Sequence, residues 1–155
     1  MGIKLTDAEL WEFVATAHTG VLTTLNTAGY PIALPTWHVA FDERIYLRTV
    51  SKAAKVRRIS RDDRVSFLVE DGVDWVDLRA ALVVGHAAVV DDEDVADRAR
   101  ELLHDKYEPF RQSRRTALSD AGRRHYSAGE AIIEVTGDVR TISWANRKLR
   151  PTPEP

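Results

Sequence analysis

Four basic residues crowd one short stretch near the middle of the chain. Lys52, Lys55, Arg57 and Arg58 follow closely after Thr49, where a strand-like run ends and helical spacing begins. A helix N-terminus offers free backbone N–H groups and a positive dipole end, which suits phosphate. Lys52 and Lys55 are three residues apart and share one face of the first turn. Cations at this end oppose the helix dipole, so the pattern indicates either a phosphate site or a solvated basic helix.

The histidines and short motifs indicate neither a metal site nor a catalytic group. The five histidines never fall at a two-ligand spacing, so a local zinc site is not expected. The chain has no cysteine, which removes thiol nucleophiles, disulfides and cysteine-based metal sites. No nucleophile elbow, Walker loop or dinucleotide-binding glycine motif is present. His38 lies two residues after Thr36 on a predicted strand, where it either lines a pocket or is a structural histidine.

Four tryptophans offer large aromatic surfaces, namely Trp11, Trp37, Trp75 and Trp144. Side chains of this size commonly fill the core of a domain. They could equally form a flat wall for a planar ring system, and the sequence leaves both interpretations open.

The composition is typical of one soluble globular domain. The chain has 155 residues, of which 44 % are hydrophobic and 30 % charged, with a formal net charge of −2. This charge gives no indication of a nucleic-acid partner. No apolar run is long enough to span a membrane, and the N-terminus lacks the apolar segment of a signal peptide. We expect a cytoplasmic protein with one domain over residues 1–150 and a disordered, proline-rich tail over 151–155.

The elements of the first half begin with a capping box, Thr6 to Glu9, which starts a helix. A second, shorter helix is predicted from Ser51, as its cap, to about Ser60. The predicted strands are 21–25, its hairpin partner 31–41, then 44–49 and 64–70.

The second half predicts a long strand over 75–90, with a bulge or bend at Gly85. Acidic residues at 91–94 start a helix that reaches about Tyr107, and a further helix is predicted over 114–126. Strands 131–136 and 139–144 are predicted as a last hairpin around Gly137 and Asp138. About six strands in hairpins with outlying helices favour a small antiparallel barrel with attached helices.

Four segments in this order resemble a known family: 20–42, 45–69, 75–92 and 142–149. The chain is similar to flavin- and deazaflavin-dependent oxidoreductases with the pyridoxamine 5'-phosphate oxidase-like split β-barrel, and most of all to the branch that uses coenzyme F420. The resemblance implies a mainly-β fold with α, a split antiparallel β-barrel with peripheral helices. It also implies a homodimer with cofactor sites at the interface.

The resemblance assigns the phosphate end of a cofactor site. Lys55 matches the family's phosphate-binding lysine, and Lys52 lies one turn earlier, where it can assist. Thr49 falls at the strand end that approaches the cofactor phosphate. The chain lacks the full set of substrate-phosphate residues of a true pyridoxamine-phosphate oxidase, so that reaction is not expected.

Two further groups of cofactor-binding residues follow from the same resemblance. Pro35, Thr36 and Trp37 match the second-strand segment whose backbone runs along the ring system. The residues implied to serve the neighbouring subunit's site are Trp75, Arg79 and Trp144.

The implied activity is hydride transfer from reduced coenzyme F420 to a small planar unsaturated acceptor, such as an enone, a quinone or a tetrapyrrole. No catalytic side chain is assigned, and a proton could come from solvent, His38 or Tyr126. The first alternative is FMN in the same fold, because both cofactors carry a tricyclic ring and a phosphate. The extra cations Lys52, Arg57 and Arg58 favour F420, which has an anionic tail. The second alternative is a protein that binds flavin or haem without catalysis.

Overall fold

A seven-stranded antiparallel sheet forms the framework of the protein, for which a computed structural model describes residues 3–111 and 118–150. The strands are β1 (Gly20–Leu25), β2 (Pro31–Thr36), β3 (Val39–Phe41), β4 (Arg44–Val50), β5 (Arg64–Asp71), β6 (Arg79–Val89) and β7 (Glu130–Ala145). Their order across the sheet is β2-β1-β5-β6-β7-β4-β3.

The helices of the described residues surround this sheet. They are α1 (Asp7–Thr16), α2 (Ala54–Arg61), α3 (Glu93–Tyr107) and α4 (Asp120–Tyr126). Short 3-10 turns cover Trp75–Asp77, Glu108–Phe110 and Asn146–Leu149. None of these described helices is both long and apolar enough to cross a bilayer. Part of the predicted helix 114–126 and the predicted tail 151–155 lie outside the described residues.

Side-chain caps start α1 and α3 as predicted. The Thr6 amide donates to the Glu9 carboxylate at 2.7 Å, and the Glu9 amide donates to the Thr6 hydroxyl at 3.3 Å, which completes the capping box. The Asp92 carboxylate accepts from the amides of Asp94 and Val95 at the start of α3. Both boundaries depend on neighbours in the sequence, which explains why the sequence predicts them.

The predicted Ser51 cap of α2 is wrong. The helix begins at Ala54 after Ala53, and no side chain of the described residues caps it. The Ser51 hydroxyl instead donates to the Ala128 carbonyl at 3.1 Å, and the Ser51 amide donates to the Gly129 carbonyl at 3.2 Å. Ser51 therefore ties the end of β4 to the segment before β7, and α2 starts two residues later than a Ser51 cap would place it.

The predicted strand 31–41 is two strands at opposite edges of the sheet. β2 pairs with β1, whereas β3 pairs with β4. Residues 37 and 38 lie outside both ladders, and the chain crosses there from one edge to the other. The alternation of side chains alone does not reveal such a crossing, because both halves read as strand.

The predicted last hairpin is also wrong, because β7 continues through Gly137 and Asp138 as one strand. Its first half pairs with β4, and both halves pair with β6. The register between β6 and β7 shifts between Val84 and His86, so the irregularity predicted at Gly85 is confirmed. A Cβ on Gly85 would lie 1.8 Å from the Thr136 carbonyl oxygen, so the backbones approach closely at this point.

Two apolar clusters hold the fold together. In the first, side chains from α1, from Ile59 of α2 and from β1, β4, β5, β6 and β7 pack in one core. In the second, α3 packs against β3, β4 and β7 through Ala96, Ala99, Leu103 and Tyr107. The structure thus confirms the predicted mainly-β split barrel with peripheral helices.

Candidate functional site

A cavity of about 420 Å³ lies where the carboxyl end of β4 meets α2, α3 and α4. A volume of this size is typical of small-molecule sites. Other surface cavities are similar in size, but this one brings together the predicted residues Trp37, Thr49 and Lys55. Its remaining lining residues are Arg48, Val50, Ala53, Leu103, Tyr107, Arg111, His125, Tyr126, Gly129 and Glu130.

One wall of the cavity is aromatic. The rings of Trp37 and Tyr107 stack with centroids 4.4 Å apart and planes 4° from parallel. Tyr107 is fully buried and Trp37 is half-buried. The His18 ring packs edge-on against both, with centroids 6.1 Å from Trp37 and 5.5 Å from Tyr107. Trp37 therefore lies in a fixed position at the cavity, as the flat-wall interpretation requires.

The cavity lining carries more cationic groups than anionic ones. Among the described residues that line it, Lys55, Arg48 and Arg111 are cationic, and Glu130 supplies the one carboxylate. Arg48 pairs with Glu130, and that carboxylate also accepts from Arg100 at 2.6 Å. Lys55 is half-buried, and its burial, followed by the charge of Arg58, lowers the pKa of its ammonium group. An anionic ligand beside Lys55 would compensate this desolvated charge.

The basic stretch does not form one surface. The Arg57 guanidinium donates to the Lys52 carbonyl at 2.6 Å, and Arg58 donates from its Nε to the Thr24 hydroxyl at 2.7 Å. Arg58 therefore anchors α2 to β1. Lys52 is exposed on the turn before the helix, and among these four residues Lys55 is the one that lines the cavity.

The other predicted second-strand residues lead into the aromatic wall. Pro35 is exposed on β2 opposite Val21, and Thr36 ends the strand. The Thr36 hydroxyl donates to the Trp37 carbonyl at 3.2 Å. Pro35 and Thr36 thus precede the wall in the chain, while Trp37 itself forms part of it.

The residues implied to serve a neighbouring subunit lie elsewhere on the molecule. Trp75 and Trp144 are 66 % and 40 % exposed, respectively. Arg79, at the start of β6, donates to Asp71 at 3.0 Å and covers the Phe13 ring at 4.0 Å. Within one chain these three residues are not brought to the cavity of Trp37 and Lys55. Their assignment to a second subunit's site stays a prediction.

His38 is a core residue. It is fully buried, its Nε2 lies 2.7 Å from the Val14 carbonyl oxygen, and its ring packs edge-on against Phe67. Burial, followed by the charge of Lys106, lowers the pKa of His38 to about 4. Of the two side chains that the sequence offers as proton donors, Tyr126 is the one that lines the cavity. The described residues contain no group of three possible metal ligands.

The sequence misses several lining residues because they come from distant segments. Tyr107 and His38 are 69 positions apart, yet the Tyr107 hydroxyl accepts from the His38 amide at 2.9 Å. Glu130 and His125 follow α3 and join β4 only through the pairing of β4 with β7. A buried aromatic residue at the end of α3, just before Pro109, is the one local signal that could have drawn attention to Tyr107.

The fold is shared with several solved structures. A conserved hypothetical protein of Mycobacterium tuberculosis is 29 % identical with a TM-score of 0.78, over 98 % of this chain and 92 % of that chain. An FAD-binding protein of Mesorhizobium loti is 15 % identical with a TM-score of 0.68, over 90 % and 94 %. A haem storage protein of Vibrio cholerae is 13 % identical with a TM-score of 0.66, over 95 % and 99 %. The last two show a likeness of fold alone.

No curated protein sequence matches the chain. A family model described as pyridoxamine 5'-phosphate oxidase matches residues 6–139. This range contains every residue that lines the cavity. It also contains all of the sheet except the last part of β7. The chain therefore belongs to the pyridoxamine 5'-phosphate oxidase family of split β-barrels.

Proposed function

We propose that the protein is an oxidoreductase that holds a phosphorylated flavin-type cofactor in the cavity of Trp37 and Lys55. The observation that carries this proposal is the presence of a fixed aromatic wall and a half-buried lysine in one cavity of about 420 Å³. A planar ring suits the wall, and a phosphate suits the lysine. When bound, a flavin or deazaflavin supplies two-electron chemistry, which suits a small planar unsaturated acceptor.

The protein's own residues bind the cofactor and keep water out. Lys55 holds the phosphate beside the end of β4, where Thr49 and Val50 also line the cavity. Trp37, backed by the fully buried ring of Tyr107, presents an apolar face on which a ring can lie without facing water. Tyr126 offers a hydroxyl at the same cavity for proton donation to a reduced product.

A second copy of the chain is part of this proposal. The outward-facing side chains of five adjacent strands form an apolar row: Pro35, Val21, Leu68, Leu82 and Ile142 are paired neighbours in turn. Each is at least partly exposed in the single chain. Covering the row with its counterpart across a two-fold axis would bury these side chains. It would also bring a partner's tryptophans toward the cofactor, as the family resemblance implies.

Coenzyme F420 and FMN are the two candidate cofactors. In the sequence, the surplus of cations near Lys55 favours F420, but in the structure Arg57 and Arg58 donate to acceptors within the protein. Fewer N–H donors of these arginines are therefore available for the anionic tail of F420 than the sequence indicates. A solved structure of the same fold that binds FAD supports a flavin, and the hydrogen bonds of these arginines favour FMN.

Titration of the purified protein with FMN, coenzyme F420 and hemin tests the proposal. We expect the absorbance and fluorescence of FMN to change when it binds. The affinity for FMN should decrease at high salt to the extent that one phosphate contact is screened. Affinity for F420 that exceeds that for FMN, and falls more steeply with salt, would assign F420. Binding of hemin alone would overturn the oxidoreductase proposal and support a haem-binding protein. An assay for reduction of a quinone or enone by the protein with reduced cofactor bound distinguishes an enzyme from a storage protein.

A further inference from the structure

Trp37 and His38 form the crossover between β2 and β3, and they lie outside the strand ladders. Buried backbone groups need hydrogen-bond partners, and the sheet supplies none to His38. The end of α3 supplies them instead. The His38 amide donates to the Tyr107 hydroxyl oxygen at 2.9 Å. The His38 carbonyl oxygen lies 2.9 Å from the Tyr107 hydroxyl oxygen and accepts from the Lys106 ammonium at 3.0 Å.

Lys106 also binds the end of α1. Its ammonium group donates to the carbonyls of Ala15 at 3.0 Å and Ala17 at 2.7 Å. With the His38 carbonyl, these contacts use all three N–H donors of a lysine. The last turn of α1 has no basic residue of its own, so Lys106 supplies the cation that a helix C-terminus favours. Burial lowers the pKa of Lys106 to about 8, which leaves it mostly charged at neutral pH.

Tyr107 connects these contacts to the cavity. Its hydroxyl also lies 2.7 Å from the His18 carbonyl, so the oxygen is fully engaged by backbone groups away from any ligand. Its fully buried ring lies behind Trp37, which stacks on it in the cavity wall. The position of Trp37 is therefore determined by the end of α3 rather than by the sheet.

We propose that Lys106 and Tyr107 are positioning residues of the ligand site: they tether the crossover and so hold Trp37 in the cavity wall. This inference rests on the proposed function, since it assigns the tether a role in binding the cofactor ring. Neither residue supplies a polar group to the ligand. Their effect on affinity passes through Trp37.

The position of Trp37 can be followed by ¹⁹F NMR of the ligand-free protein labelled with 5-fluorotryptophan. The chain has four tryptophans, and the Trp37→Phe variant identifies the Trp37 resonance. The test variants are Tyr107→Phe, which keeps the ring and removes the hydroxyl, and Lys106→Met. The matched control is Tyr46→Phe, because Tyr46 is also a buried, stacked tyrosine, with its hydroxyl bonded to Glu134 at 2.8 Å.

We expect both test variants to shift or broaden the Trp37 resonance selectively and to weaken FMN binding about tenfold, the scale of one lost hydrogen bond. The control variant should leave the Trp37 resonance and the affinity unchanged. An unchanged Trp37 resonance in Tyr107→Phe would overturn the proposal. If Lys106→Met unfolds and all resonances collapse together, Tyr107→Phe alone decides. A selective Trp37 shift in a protein that binds neither FMN nor F420 would overturn the proposed function while establishing the tether.

Discussion

Lys55 is the residue at which the phosphate hypothesis can be tested most directly. It is half-buried at the cavity and its ammonium is desolvated, so a bound phosphate would gain a charge-assisted contact. Replacing Lys55 by alanine should weaken FMN binding by about 1.5–3 kcal/mol, or roughly 10- to 150-fold. Isothermal titration calorimetry measures this change.

The matched control for Lys55 is Arg61→Ala, which removes one positive charge from the other end of the same helix. Arg61 is exposed and donates to the Leu25 carbonyl at 3.0 Å, away from the cavity. Its loss should change the affinity for FMN less than twofold. Equal losses in both variants would mean that α2 acts through its overall charge and not through a phosphate contact at Lys55.

His38 should make the fold sensitive to mild acid. Its pKa is about 4 in the folded protein against an ordinary value of 6.5, because burial disfavours the charged ring. Between these two pH values the unfolded chain binds a proton that the folded chain does not. The stabilisation from neutral His38 is therefore complete above pH 6.5 and decreases as the pH falls to about 4, by about 3 kcal/mol at most.

Urea unfolding at pH 7.5, 5.5 and 4.5 measures this loss, with His38→Gln as the comparison. The variant should be less stable at neutral pH, and its stability should change less over the same interval. Hydrogen bonds lower the pKa of the partly exposed carboxylates Glu9 and Asp62 to about 2 in the folded state, so their contributions are lost mainly below pH 4.5. The same slope in His38→Gln as in the wild type would assign the acid sensitivity to other groups.

The sequence predicts individual residues of the candidate site where the family resemblance rests on a local pattern of residues. Trp37, Thr49 and Lys55 are found at one cavity because β2 leads into the crossover and β4 leads into α2. The spacing of basic residues along the helix does not show which of their charged groups are in contact with solvent. Arg58 and Lys55 differ by three positions on one helix, yet Arg58 donates to Thr24 of β1.

At the scale of the secondary-structure elements, the close approach of the backbones at the bulge between β6 and β7 can be tested by substitution of Gly85. A Cβ at Gly85 would meet the Thr136 carbonyl at 1.8 Å, so Gly85→Ala must displace backbone in the middle of two paired strands. We expect a loss of about 2–4 kcal/mol in the free energy of unfolding. Chemical denaturation measures it.

The comparison for Gly85 is Gly122→Ala in α4, where the nearest atom to a new Cβ is the flexible Leu118 side chain at 3.2 Å. Alanine has the higher helix propensity, so this change should be neutral or stabilising by up to about 1 kcal/mol. A Gly85→Ala variant as stable as the wild type would show that the two strands can separate at the bulge without cost.

Elements with local start signals are predictable and those defined by distant pairing are not. The caps of α1 and α3 lie within three residues of the helices that they start. The crossing between β2 and β3, and the continuation of β7 through Gly137, depend on partners far along the chain. Gly-Asp is a frequent turn sequence, but here the two residues lie in a strand opposite Gly85.

At the scale of the whole molecule, the apolar row on the outer face of the sheet predicts a dimer. Ile142→Arg places a charge in the row, where the residue is 37 % exposed in the single chain. The variant should sediment as a monomer, whereas the wild type should have twice that mass, because an unpaired charge would be buried at the interface. Its affinity for FMN should fall at the same protein concentration.

Leu102→Arg is the control for this dimer prediction, since Leu102 of α3 has the same exposed fraction of 37 % and lies outside the row. It should leave the mass in solution unchanged. A wild-type protein that sediments as a monomer at micromolar concentration would remove the second subunit from the proposal.

The crossover at Trp37 also bears on how the protein folds. The two strands that it joins occupy the two edges of the sheet and are separated by residues 37 and 38 alone, so these edges meet where the sheet closes. Closing the sheet requires β4 to pair with β7, across about eighty positions of chain, and such distant pairings form slowly. Tyr107 of α3 packs in the cluster that β3, β4 and β7 complete, so we expect its contact with Trp37 to follow this step. Its fluorescence should therefore change in the last phase of refolding, and the ligand cavity should be the last part of the molecule to form.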